Sequence, residues 1–139
     1  MPCISGAFRV ADGILLPVTV VQSGGGVDAL KLQPSPPIVY GLVDLGASHT
    51  CVSTSLAECT CLEQVSMIRV RGVHGLAPTP QYAADLIVRF ESIPVVLPRM
   101  TVLGFASDAQ SSYQILIGRD VISRSTLIIS RDGRFTFRL

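Results

Sequence analysis

Charge is scarce in this sequence: 15% of its 139 residues are Asp, Glu, Lys or Arg, and eleven basic residues against ten acidic ones leave a net +1. No Lys/Arg run and no aromatic stripe occurs, so the electrostatic footprint of a nucleic-acid binder is missing and no nucleic-acid partner is expected. Long apolar runs are lacking too. The longest, Ile14 to Val21, is interrupted by Pro17 and Thr19 and falls short of the ~18 residues that suggest a helical span, so no membrane partner is expected. The opening Met1-Pro2-Cys3-Ile4-Ser5-Gly6 has neither a basic n-region nor an apolar h-region; it does not read as a secretory signal, and a cytoplasmic location is expected. The four cysteines, Cys3, Cys51, Cys59 and Cys61, read without an export signal as reduced, buried or inert thiols rather than a disulfide framework. The Cys59-x-Cys61 spacing is narrower than zinc sites use, so no metal is expected. Also absent are the Ser/His/Asp spacing of a hydrolase elbow, a Gly-x-x-x-x-Gly-Lys loop and His-Glu-x-x-His, which removes most nucleophile, phosphate and zinc chemistry and leaves no cofactor to expect.

What is abundant is apolar surface. The hydrophobic fraction is 48% and the mean hydropathy +0.51, high for a soluble monomer, which points to a face covered by a partner and most simply by a second copy. The length fits one domain, residues 1–139, with a real core but no room for two full β-barrel lobes.

Short β-branched and aliphatic runs separated by turn signals predict an all-β barrel or sandwich. Strands are expected at Ile38–Val43, His49–Ser53, Val65–Arg71, Tyr82–Phe90, Val95–Leu103, Gln114–Ile117 and Thr126–Ser130. Asp12-Gly13 and Asp132-Gly133 predict tight hairpins of type I′, the first between Ala7–Ala11 and Ile14–Val21 and the second between Thr126–Arg131 and Arg134–Leu139. In the last strand Phe135, Phe137 and Leu139 alternate with Arg134, Thr136 and Arg138, the period of a half-buried strand. Gln22 to Pro37, rich in Ser, Gly and Pro, predicts an exposed insertion loop with a short element near Ala29–Leu32. One short helix is expected at Thr54–Cys59, capped by the Ser55-Leu56-Ala57-Glu58 box, and a second after Gly118, with Asp120 near its start.

The remaining candidate for chemistry is a carboxylate. Ile38 to Val43 reads as a buried strand running into Asp44, and Leu45-Gly46-Ala47-Ser48 follows. An ionisable group therefore emerges where an apolar strand ends and the chain turns on small residues. On local sequence alone, an Asp that merely organises an Asx turn is the better fit.

Three segments taken together point further. Val43-Asp44-Leu45-Gly46-Ala47-Ser48 resembles the Asp-Thr-Gly-Ala-Ser signature of aspartic peptidases. Arg69-Val70-Arg71-Gly72-Val73-His74-Gly75, leading through Pro78 and Pro80 to Gln81-Tyr82, resembles a retropepsin flap, here residues 69–82. Ile115-Leu116-Ile117-Gly118-Arg119-Asp120 resembles the hydrophobic-hydrophobic-Gly-Arg-Asp/Asn segment of retropepsins. The segments occur in family order from about Ile38 to Leu127, and the chain is similar to the cellular, single-domain, homodimeric type. The resemblance implies a closed retropepsin barrel with one or two short helices and a flap hairpin. It also implies an obligate homodimer, because the chain holds a single Asp-x-Gly-Ala run. Two Asp44 carboxyls would then share one proton and activate water on an extended, largely hydrophobic peptide.

By the same resemblance Gly46 and Ala47 let substrate backbone approach, Val73, His74, Gly75, Leu76 and Ala77 form the cover, and Ile115, Ile117 and Gly118 form the second loop. His74 reads better as a solvated turn residue, and Ile115 and Ile117 better as core than as subsite lining. Arg119 resembles the arginine that buttresses the active loop, yet the acidic partner expected after the motif is replaced by Ser48 and His49. It is left Asp120, the Asp44-loop carbonyls or the other protomer. Leu45 departs most: the family carries Thr or Ser there, whose hydroxyl bonds across the dimer axis, and each such buried bond is worth about 0.5–1.5 kcal/mol. A peptide-binding dimer with impaired catalysis is therefore the alternative expectation.

Overall fold

A computed structural model describes residues 1–108 and 110–139. Its strands are β1 (Cys3–Ala7), β2 (Leu15–Gln22), β3 (Val39–Val43), β4 (Cys51–Ser53), β5 (Glu63–Gly72), β6 (Gly75–Arg89), β7 (Pro94–Phe105), β8 (Ile115–Ile117), β9 (Thr126–Ser130) and β10 (Arg134–Arg138). Two short helices, α1 (Thr54–Cys59) and α2 (Arg119–Ile122), and a 3-10 turn at Gly26–Lys31 complete the elements. No described helix is long and apolar enough to cross a membrane.

Six strands close on themselves. The order β2-β3-β8-β4-β7-β6 returns to β2 through a direct β2–β6 pairing, and β5 extends beyond the closure as the hairpin partner of β6. Closure needs two parallel contacts, β3 with β8 and β4 with β7. The alternating side chains of β2, β6 and β8 fill the interior: Leu16, Val18, Leu86, Val88, Ile115 and Ile117 are all within 1% of complete burial, each worth about 1.5–3 kcal/mol relative to exposure. Gly41 permits this packing. A Cβ there would stand 2.8 Å from the Ile117 Cδ1 atom.

A second sheet, β1-β10-β9, lies at one end, and Phe137 from its central strand stacks on Phe90 of the barrel core at 6.4 Å. The Asp12-Gly13 turn is therefore not the hairpin expected from sequence. β1 pairs with β10 and β2 with β3 and β6, because Asp12 and Gly13 both donate their amides to the Arg9 carbonyl and Arg9 ion-pairs with Asp12 at 2.6 Å. That compact turn sends the chain from one sheet to the other. Asp132-Gly133 does close a hairpin, but as a three-residue loop with only Gly133 at positive φ (+78°), the arrangement in which a type I turn ends in a left-handed residue.

Helix α1 is capped two residues earlier than expected: the Ser53 hydroxyl, not Ser55, accepts from the Leu56 amide. At its other end Cys61 and Leu62 donate to the Glu58 and Ala57 carbonyls, a Schellman closure. Cys61 takes the left-handed position with φ +54°, where a residue with a Cβ costs roughly 1–2 kcal/mol. The thiols are not buried as a class: Cys3, Cys59 and Cys61 are exposed and only Cys51 is half-buried. They lie at a sheet edge and a helix end rather than among the inward positions of the strands. β3 also differs from expectation, since Ile38 and Tyr40 are exposed at 58% and 55%; the strand alternates, and Gly41 faces in while Tyr40 faces out.

The Gln22–Pro37 segment is tied down. Asp85, only 2% exposed on β6, accepts the amides of Gly24 and Gly26 at one carboxylate oxygen and of Arg99 at the other, at 2.9–3.1 Å. Three backbone donors satisfy a charge that burial would otherwise penalise heavily.

Candidate active site

Asp44 continues the β3–β8 ladder by one bond. Its amide donates to the Ile117 carbonyl at 2.9 Å, which fixes the backbone where the strand gives way to a turn. The Gly46 amide then donates to Asp44 Oδ1 at 2.9 Å, and the Ala47 amide to the Asp44 carbonyl at 3.2 Å. The Asx turn that local sequence allows is thus present. It also orients the carboxyl group: Oδ1 is held while Oδ2 has no hydrogen-bond partner among the described residues. Asp44 is half-buried, and Leu45 beside it is 56% exposed.

The loop is braced from below by the β8–α2 junction. The Arg119 amide donates to the Ala47 carbonyl at 2.9 Å and its guanidinium to the Leu45 carbonyl at 3.2 Å. Of the partners open to Arg119, the Asp44-loop carbonyls are the ones it takes. Gly118 is buried against His49 and Thr50, where a Cβ would meet His49 backbone atoms at 2.5–2.6 Å, so only glycine lets the two chains cross.

Asp120, placed at a helix start from sequence, does more than that. Its carboxylate accepts the Thr50 amide at 2.9 Å and the Thr50 hydroxyl at 2.7 Å, as well as the Val121 amide at 2.9 Å. The Thr50 oxygen in turn accepts the Gly118 amide at 3.1 Å. Thr50, 1% exposed, is the residue that sequence reasoning missed. Its signal is faint, a hydroxyl six residues after Asp44 in a segment otherwise read only as a strand.

Cys51 lies one residue on. Burial pushes its thiol up to about 11, with repulsion from Asp120 and then from Asp44 adding to the effect. The thiol donates weakly to the His49 carbonyl at 3.4 Å. A thiol so raised is a poor nucleophile near neutral pH.

The other predicted residues divide. Ile115 and Ile117 are core, at 1% and 0% exposure. Ser48 and His49 face solvent and bond each other at 3.0 Å. Val73 and His74 form the tip of the β5–β6 hairpin between paired Gly72 and Gly75; Val73, His74, Gly75, Leu76 and Ala77 are all exposed. No hydrogen bond among the described residues joins this tip to the Asp44 loop. The structure therefore brings together the first and second loops and leaves the hairpin standing free.

No family model matches the chain, and no curated protein does. Solved structures do. A retropepsin-like aspartic protease from Rickettsia conorii superposes with a TM-score of 0.63 at 10% identity, covering 97% of this chain and 89% of that one. The fold is retropepsin-like. The EIAV protease complexed with the inhibitor HBY-793 superposes on it with a TM-score of 0.53 at 12% identity, over 86% of this chain and 93% of that one. Within this retropepsin-like barrel the three sequence segments fall at the end of β3, on the β5–β6 hairpin and at the β8–α2 junction.

Proposed function

We propose that two copies of this chain form an aspartic endopeptidase acting on extended, largely hydrophobic peptide segments, with one active site built from two Asp44 carboxyls. The observation that carries this reading is the state of Asp44: a carboxylate fixed at one oxygen by the Gly46 amide, free at the other, on a loop gripped by Arg119. Asp85 and Asp120, which tie segments of the barrel together, use both oxygens, whereas Asp44 keeps Oδ2 without a hydrogen-bond partner among the described residues.

A second copy supplies the second carboxyl. Strand β9 is one of the two edges of its sheet, carries no Lys, Pro or bulge to protect that edge, and exposes Ile128 and Ile129 at 49% and 51% on opposite faces. It directly follows α2, which holds the Asp44 loop. Pairing β9 with its copy would give a continuous six-stranded sheet and bring both Asp44 loops to one side of the axis. Close carboxyls then share a proton. The ionised one takes a proton from water as the oxygen attacks the scissile carbonyl; the protonated one hydrogen-bonds that carbonyl and gives its proton to the forming gem-diol. Collapse of the diol breaks the C–N bond, with a proton passing to the leaving amine. Residues 69–82 act as the cover, whose exposed Val73 and Leu76 would seal against substrate and exclude water. Residues 1–139 work as one domain, and 22–37 form an insertion outside the site.

Leu45 favours a second reading, a peptide-binding dimer with little turnover. Its side chain is more than half exposed and has no hydroxyl to bond across the axis. Digestion of a peptide library by purified protein from about pH 3 to about pH 8 separates the two. The peptidase reading expects cleavage that vanishes in Asp44→Asn; binding without cleavage, restored to cleavage by Leu45→Thr, selects the second. Cleavage persisting in Asp44→Asn refutes the mechanism.

A further inference from the structure

Away from Asp44, a cavity of about 330 Å³ lies between the end of α1 and the Gln22–Pro37 segment. Its walls are largely apolar, including Val20, Val21, Leu32 and Pro36, and both Cys59 and Cys61 line it. Two observations mark it as built. Buried Asp85 holds its far wall by the Gly24 and Gly26 amides, and Gln22 Nε2 holds its near edge by donating to the Cys61 carbonyl at 3.1 Å. The third observation is the backbone of Cys61 itself. A left-handed helix cap at φ +54° is the site where glycine is preferred, yet a thiol stands there, two residues from another thiol that lines the same cavity. Backbone strain retained at an exposed thiol points to use.

We propose that Cys59 and Cys61 form a dithiol modification site that exchanges with low-molecular-weight disulfides. One thiolate attacks a sulfur of the incoming disulfide, its organic half entering the cavity, and releases the first thiolate. The neighbouring thiolate then attacks the mixed disulfide, closing a Cys59–Cys61 bond and releasing the second. The protein pair loses two electrons and two protons, and the small disulfide is reduced to two thiols. Residues two apart on a helix do not face each other, but Cys61 lies past the end of α1 in a left-handed conformation, and both cysteines line the one cavity. Among the described residues no third His, Cys, Asp or Glu joins them, which favours covalent chemistry over metal binding. The inference does not depend on peptidase activity.

The other thiols serve as controls: Cys3 is exposed on β1 and Cys51 is half-buried on β4. The full chain is incubated with oxidised glutathione, then mapped by peptide mass spectrometry after quenching. The expected wild-type product has a Cys59–Cys61 disulfide, two hydrogens lighter and reversed by dithiothreitol, while Cys3 keeps its glutathione adduct. Cys59→Ser and Cys61→Gly should each stop at an adduct on the remaining thiol; the glycine suits the helix cap, so that variant folds. Glutathione retained on both Cys59 and Cys61 of wild type, or reaction at Cys3 alone, would overturn the proposal.

Discussion

Removing the Asp120 carboxylate should unfasten the Asp44 loop from the barrel. In Asp120→Ala the Thr50 amide and hydroxyl, on a residue 1% exposed, lose their acceptors at 2.9 and 2.7 Å. Each buried donor left unpaired costs about 1–3 kcal/mol. The Val121 amide also loses its acceptor, but it lies in the first turn of α2 where water can replace it. The total comes to about 2–6 kcal/mol. Thr50→Val removes the hydroxyl from both Asp120 and the Gly118 amide and should cost about 1–3 kcal/mol by the same reasoning. Because the two residues share one contact, the double variant should be less destabilised than the sum, with a coupling of roughly 1–3 kcal/mol. Urea unfolding followed by circular dichroism, at one fixed protein concentration, measures all three. Additive losses, or a loss under about 1 kcal/mol in Asp120→Ala, would show that this network does not hold the loop.

Gly118→Ala should be among the most damaging substitutions, since the added Cβ meets His49 and Thr50 backbone at 2.5–2.8 Å; a drop in stability of about 3 kcal/mol or more is expected by thermal unfolding, and wild-type stability would contradict the crossing geometry. Cys51 should alkylate at pH 8 about 100-fold more slowly than a thiol at the ordinary value of 9.0, because its own lies at about 11; iodoacetamide labelling with mass detection reads this, and labelling as fast as Cys3 would refute it. The folded thiol holds its proton more tightly than the unfolded one. The stability this contributes is therefore present in full below pH 9.0 and lost as pH rises through about 11, a decline that Cys51→Ala should remove.

Much of the barrel was legible because its strands are short, β-branched and separated by turn residues: β9 was placed to the residue and β5, β7 and β8 to within a few. What failed was pairing across sequence. Asp12-Gly13 and Asp132-Gly133 look alike as dipeptides, but Arg9 turns the first into a compact link between sheets, an effect outside the dipeptide. The capping box at Ser55 lost to Ser53 because the latter, 0% exposed, is also anchored by Gln114 at 2.6 Å. Of the site, Asp44, Gly118 and Arg119 were visible as motifs. Thr50 was not, because its importance comes from a carboxylate 70 residues away. Asp85 was hidden for a similar reason: its three partners lie on the Gln22–Pro37 segment and on β7, which the sequence does not show to be adjacent.

The claim on which the functional account rests is that one active site needs Asp44 from two chains. Equal amounts of wild type and Asp44→Asn, unfolded and refolded together, should assort at random, so that only about a quarter of the dimers carry two aspartates. Peptide hydrolysis per total protein should then fall to about a quarter of the wild-type value. A fall to only about one half, with mixed dimers demonstrated by mass spectrometry, would mean that each chain acts alone and would contradict the account.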